Sequence, residues 1–210
     1  MSETDDPAWP LVRSWSAEAT NPHRLLPADH EAGEATLAAL DGVTEWSVLG
    51  ALARHCAALV VDEWLVVLGA GGDGYPGLRD VNTGEDALSG ALIVGLDVMG
   101  GGFAINGGGL PAGEEGELCY LAPDDPAWME CGLGHSAFVG WALSGPVDDF
   151  YAELRWDGWR EDVAALEPGQ ALFAYPPPWA TEGKGDDVSR KPVPLLEAWG
   201  VLLSTWRQIG

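Results

Sequence analysis

Apolar residues recur at helical spacing in the first quarter of the chain, at strand spacing through its middle, and at helical spacing again toward its end. In "DDPAWPLVRSWSAEATNP", Trp9, Val12 and Ser16 mark one side, with Leu11, Trp15 and Ala19 adjoining it. Asp6 is placed to cap this helix, and Pro7 suits its first turn, where a missing N–H costs nothing. Asn21-Pro22 ends it, because the residue before a proline is driven out of the helical region. A second helix is predicted from Asp29 to about Leu40, stopped by Gly42. "SVLGALARHC" predicts a short third helix with Ser47 as its cap.

The period then changes. "ALVVDEWLVVLGA" is β-branched and apolar, broken by Asp62-Glu63, and reads as a hairpin or two short strands. "GALIVGLDVMGGGFAING" repeats the pattern, with Gly100 to Gly102 as its turn. "GELCYLAPDD" is a further strand with Leu118, Tyr120 and Ala122 on one face, and "AWMECG" is expected to pair back onto it. Successive short strands without helices between them predict an antiparallel meander rather than parallel βαβ units.

Helical spacing returns after Gly134. "HSAFVGWALSG" sets Phe138, Trp141 and Ala142 on one face, "VDDFYAELRW" sets Val147, Phe150, Tyr151 and Leu154, and "GWREDVAALEPG" sets Trp159, Val163 and Leu166. A late strand, "QALFAYPPPW", follows. Its prolines are expected to stop further pairing by removing donors. Ala180 to Lys191 reads as a mobile loop carrying half of a basic cluster of Lys184, Arg190 and Lys191. Leu195, Trp199, Leu202 and Trp206 then predict a final helix. No linker divides two cores, so the expectation is a single domain over residues 1–210.

Composition narrows the function. The 210 residues include 11 tryptophans and are 47% hydrophobic, enough for a sizeable core. Thirty-three acids against 10 bases give a net charge of −23. Such a surface repels phosphate backbones and anionic lipid, so neither nucleic acid nor membrane is an expected partner. A basic protein is the partner that charge would steer. The three cysteines, Cys56, Cys119 and Cys131, have no framework spacing. The opening "MSETDDPAWP" lacks the form of a secretory signal, and the longest apolar run is broken by Asp62-Glu63. The expected location is therefore the cytoplasm, with reduced thiols.

Candidate chemistry is sparse. Gly69, Gly71 and Gly74 spell G-x-G-x-x-G after an apolar run, but a dinucleotide turn needs a helix directly behind it. Pro76 and Gly77 occupy that place, and no helical pattern appears before Leu88. The motif reads as a loop between antiparallel strands. The second glycine cluster surrounds Phe103 and Asn106, and Asn106-Gly107 is a tight-turn dipeptide. Glycines on both sides offer either hairpin ends or a surface of exposed N–H groups. Cys119, Cys131 and His135 match no zinc spacing, so no metal and no cofactor are expected. Paired acids such as Asp148-Asp149 suit first helical turns better than catalysis. The site residues proposed from sequence are Asp97, Phe103, Asn106, Gly107 and His135.

The order of blocks "DPAWPLV", "LVVDEWLVVLG", "GGFAINGG", "YLAPDDPAWMECGLGHSAFVGWALSG", "FYAELRWDGWREDVAAL", "YPPPW" and "SRKPVPLLEAWG" resembles a bacterial family, the DUF 2625 domain of unknown function. That resemblance covers roughly Asp6 to Gly200 and implies no catalytic residue. A fainter likeness, carried by "GGFAINGG", the meander before it and "HSAFVGWALSG" after it, is to the SUKH superfamily. It implies an α+β interaction domain of the kind found among immunity proteins and regulators. The reading is thus an α+β fold, an antiparallel meander covered by helices, with an N-terminal helical pair packed on one side. Its expected function is an acidic protein-interaction module, immunity-like or regulatory, binding a basic partner. The alternative is an enzyme acting on a small polar substrate in a glycine-lined pocket near Asn106, with Asp97 or His135. A homo-oligomer joined through exposed tryptophans is a third expectation.

Overall fold

A computed structural model describes residues 8–44, 46–84, 87–184 and 188–209. The proposed cap Asp6 and the first-turn Pro7 lie outside these residues. Helix α1 (Ala8–Glu18) buries Ala8, Trp9 and Val12. Strand β1 (His23–Pro27) separates it from α2 (His30–Ala39) and α3 (Val48–His55). Asp29 caps α2 by accepting from the N–H groups of Glu31 and Ala32, and Ser47 caps α3 by accepting from Gly50. Gly33 lets α2 rest on the backbone of Arg54, a contact with no room for a side chain.

The middle of the chain forms the expected meander. Strands β2 (Cys56–Val61), β3 (Leu65–Leu68), β4 (Ala91–Asp97), β5 (Gly102–Asn106), β6 (Leu118–Leu121) and β7 (Trp128–Glu130) join β1 in a seven-stranded antiparallel sheet in sequence order. Between β3 and β4 the chain makes a short helix, α4 (Leu78–Asn82), which sequence reading placed in a loop. Leu78 and Val81 anchor it in the core, and the Asp80 carboxylate accepts from the Gly77 N–H. Five residues are too few to show a 3.6-residue pattern.

Both faces of the sheet are covered. On one face Gly95 and Phe103 meet Phe138 of α5 (His135–Ser144). On the other, Gly102 meets the Trp199 ring, and Gly100 meets Ala198, both from α8 (Leu195–Ile209). Between them the chain forms α6 (Val147–Phe150) and α7 (Trp159–Ala164). Phe150 lies against Phe103 on the first face, whereas Val163 lies with Val60 and Val66 on the second. The segment from α6 to α7 therefore wraps around one end of the sheet.

Strand β8 (Gln170–Tyr175) pairs antiparallel with β9 (Ser189–Pro194) in a separate two-stranded sheet. β8 ends at Tyr175, directly before the three prolines expected to stop its pairing, while β9 places the last part of the expected loop in a strand. Edge strands tolerate proline because one row of their groups faces away from the partner. Among the described residues Trp46, at 57% exposure, is the only exposed tryptophan; the others are buried or half-buried.

The fit at Gly102 gives a prediction. Gly102→Ala drives a methyl into the Trp199 ring and is expected to cost about 1–3 kcal/mol by overpacking, read as a lower urea midpoint with an unchanged slope.

Candidate functional site

The β2–β3 turn is built from two acids in an unusual backbone state. Asp62 and Glu63 both have φ of +52°, and the Trp64 N–H closes the turn on the Val61 carbonyl at 2.9 Å. Side chains rarely occupy this region without compensation. Three arginines supply it. Asp62 accepts from Arg155 at 2.7 Å and from Arg160 at 2.8 Å, and Glu63 accepts from both Nε and Nη2 of Arg24 at 2.9 and 2.6 Å. Arg155 also donates to Asp148, and its guanidinium lies over the rings of Trp159 at 4.0 Å and Trp64 at 4.9 Å. Its side chain and that of Asp62 are each 7% exposed, so this is a desolvated ion pair roofed by aromatic rings.

The same wrapping segment forms one wall of a cavity of about 590 Å³ at this end of the sheet. Met99 comes from the β4–β5 turn and Asp124 from the β6–β7 turn. Glu153, Arg155, Trp156 and Asp157 come from the segment between α6 and α7, Ala174 and Pro178 from the end of β8 and beyond, and Arg190 from β9. The Arg190 guanidinium carbon lies over Trp156, 3.9 Å from its ring centre. Its Nη1 is 3.5 Å from the Val188 carbonyl, and its buried Nε has no hydrogen-bond partner. Burial pushes its pKa below the usual arginine value.

Behind the Met99 wall sits Asp97, fully buried. Its Oδ1 accepts from the N–H groups of Met99 and Gly101, each at 2.9 Å, and its Oδ2 accepts from the Tyr120 hydroxyl at 2.6 Å. Burial raises its pKa to about 6, against the opposing pull of these hydrogen bonds. The tyrosine is pushed well above its ordinary value by burial and by the carboxylate, so it remains the donor.

The other sequence-proposed residues lie elsewhere. Phe103 stacks on Tyr120 at 4.4 Å and walls a smaller apolar cavity of about 260 Å³ with Leu118, Cys131 and Trp141. Asn106 pairs with Ala91 at the far end of the hairpin whose near end carries Asp97, a separation of more than about 13 Å at strand rise. Its side chain makes four hydrogen bonds to its own loop, donating to Ala112 and Gly113 and accepting from Gly108 and Leu110. Gly107 is exposed and donates to the Gly90 carbonyl. His135 is buried at the start of α5, where desolvation lowers its pKa to about 4, and neither ring nitrogen has a partner. A wide depression is lined by Gly108 and Gly109 with Trp128 and Trp206, but Asp97, Asn106 and His135 are not among its walls.

The G-x-G-x-x-G loop is filled by its own backbone. A side chain at Gly77 would strike Ala70, and one at Gly71 would strike Gly77. Strand β3 has antiparallel neighbours on both sides, so the phosphate-binding βαβ arrangement is absent. Cys119 pairs with Glu130 while the next residue, Cys131, bonds back to Leu118, so the two thiols sit on opposite faces of the sheet. Among the described residues, no three His, Cys, Asp or Glu side chains converge on a metal position. No helix among them is long and apolar enough to cross a membrane.

A family model described as protein of unknown function DUF2625 matches residues 1–198. The chain is 39% identical over 205 residues to a putative uncharacterised protein, YbfG, of Escherichia coli strain K12, covering 95% of this chain and 92% of that one. It is 30% identical over 184 residues to an uncharacterised protein of Haemophilus influenzae strain Rd, covering 84% and 79% respectively. No solved structure matches the chain significantly.

Asp62→Asn keeps a residue tolerant of positive φ but removes the shared charge, and is expected to cost about 3 kcal/mol in urea unfolding. His135 supplies a pH test. Its folded pKa of about 4 lies below the ordinary 6.5, so between these values the unfolded chain binds a proton that the folded protein refuses. Stability from this group is complete above pH 6.5 and is lost as the pH falls toward 4. His135→Leu is therefore expected to gain about 1–2 kcal/mol on the wild type between pH 7 and pH 5, measured by denaturant unfolding at both values.

Proposed function

The chain belongs to the DUF2625 family, and we propose that it is a protein-interaction module, immunity-like or regulatory, whose acidic end docks a basic partner. The observation that carries this reading is where the positive charge goes. Arg24 is bound to Glu63, Arg54 to Glu34, Arg155 to Asp62 and Asp148, and Arg160 to Asp62. With 10 bases against 33 acids, this internal pairing leaves few counter-charges for the remaining carboxylates. Asp124, Glu153 and Asp157 are such carboxylates, gathered around a cavity large enough to hold a ligand. A concave, acid-rimmed site raises the local concentration of cations and steers a basic protein toward it.

The enzyme reading has less support. Asp97 faces the opposite end of the hairpin from Asn106, and His135 lacks the hydrogen-bonded orienting group that a general base requires.

Capture from native lysate by the wild type and by a D124N/E153Q/D157N variant tests the proposal. The expected partner is strongly basic, retained by the wild type, and lost both from the variant and at high salt. Retention of neutral or acidic partners, indifferent to the variant and to salt, would overturn it.

A further inference from the structure

We infer that the cavity holding Arg190 is a recognition site for a basic residue that carries a free α-carboxylate. This deepens the proposed function and rests on it. Arg190 differs from the arginines of the turn. No carboxylate of a described residue forms an ion pair with it, in a chain where acids outnumber bases more than threefold. The Trp156 ring centre lies 3.9 Å from the guanidinium carbon, a cation–π contact that favours one placement of the side chain. The Arg190 Nε is buried and its Nη1 has only a long contact to the Val188 carbonyl, so the terminal N–H groups on the cavity side are the donors left to meet a carboxylate.

The charges in the cavity select among anions. Arg155 is already neutralised by Asp62 and Asp148, which leaves one positive charge, Arg190, against the three carboxylates of Asp124, Glu153 and Asp157. A bare anion, and a doubly charged phosphate above all, is repelled by that excess. A ligand with one carboxylate and one or more cationic groups satisfies both sides: its carboxylate meets Arg190 and its ammonium or guanidinium meets the acids. A cavity of about 590 Å³ lies within the range of small-ligand pockets and has room for one or two residues. The same chemistry comes from two sources, a free basic amino acid or the C-terminal residue of a basic chain.

Calorimetric titration with three probes tests this: acetyl-Gly-Gly-Lys-Arg with a free carboxylate, the same peptide as its C-terminal amide, and L-arginine. The free-acid peptide is expected to bind about tenfold more tightly than the amide, as for loss of a charge-assisted bidentate pair. Arg190→Gln is expected to remove that preference, and Arg190→Lys to restore part of it. Comparable binding of L-arginine assigns the site to the free amino acid, and binding of the peptide alone assigns it to a chain end. Both outcomes support the inference. Equal binding of acid and amide overturns it, while salt-sensitive amide binding that D124N/E153Q/D157N abolishes leaves the basic-partner reading standing. Binding by none of the probes overturns both. If Arg190→Gln does not fold, the acid–amide comparison on the wild type and on Arg190→Lys decides the matter.

Discussion

One carboxylate shared between two guanidiniums organises the end of the sheet that carries the cavity. Asp62 sits in a turn whose backbone few side chains other than Asp and Asn adopt readily, and it is almost completely removed from water. Either condition alone would be destabilising. Together with Arg155 and Arg160 they become a joint, because the charge that burial penalises is also what holds the wrapping segment against the sheet. Trp64, Tyr151 and Trp159 close over the joint and exclude water, which strengthens the electrostatic attraction within it. The cavity wall from Glu153 to Asp157 is positioned by this joint, since Arg155 lies in its middle.

The meander was legible because its strands are long apolar runs separated by glycines and paired acids. The periodicity of "LVVDEWLVVLG" and "GGFAING" required no tertiary information. β1 was not legible: its five residues, "HRLLP", contain a proline and two basic side chains, and the strand exists because it lies along β2. β9 escaped for the same reason. Its two prolines argue against a strand, and only its pairing with β8 reveals one.

The candidate site was far less legible than the fold. Asp97 and Phe103 were selected for their glycine-rich surroundings; Asp97 lies behind the cavity wall, whereas Phe103 belongs to the aromatic layer and walls the smaller apolar cavity. Asn106 and Gly107 were selected for the same glycines and proved to organise their own loop. Arg155 and Trp156 were passed over as part of a helical face, and Arg190 was read as one of a basic cluster in a mobile loop. Their signal was present in the adjacent pairs Arg155-Trp156 and Trp159-Arg160, which place scarce positive charge beside aromatic rings. Which of these arginines pairs with a carboxylate and which does not depends on contacts as distant as Asp62 to Arg160, and no local pattern encodes that.

The sequential order of the seven strands also bears on how the chain is made. Each strand pairs with the one before it, so a ribosome releasing this protein emits a sheet that can assemble as it emerges, complete once Glu130 is out. The segments that shelter Asp62, Trp64 and Gly102 follow up to some seventy residues later, ending with α8. During that interval the nascent sheet has an acidic turn without Arg155 and Arg160 and an uncovered apolar face, the kind of surface through which unfinished chains associate.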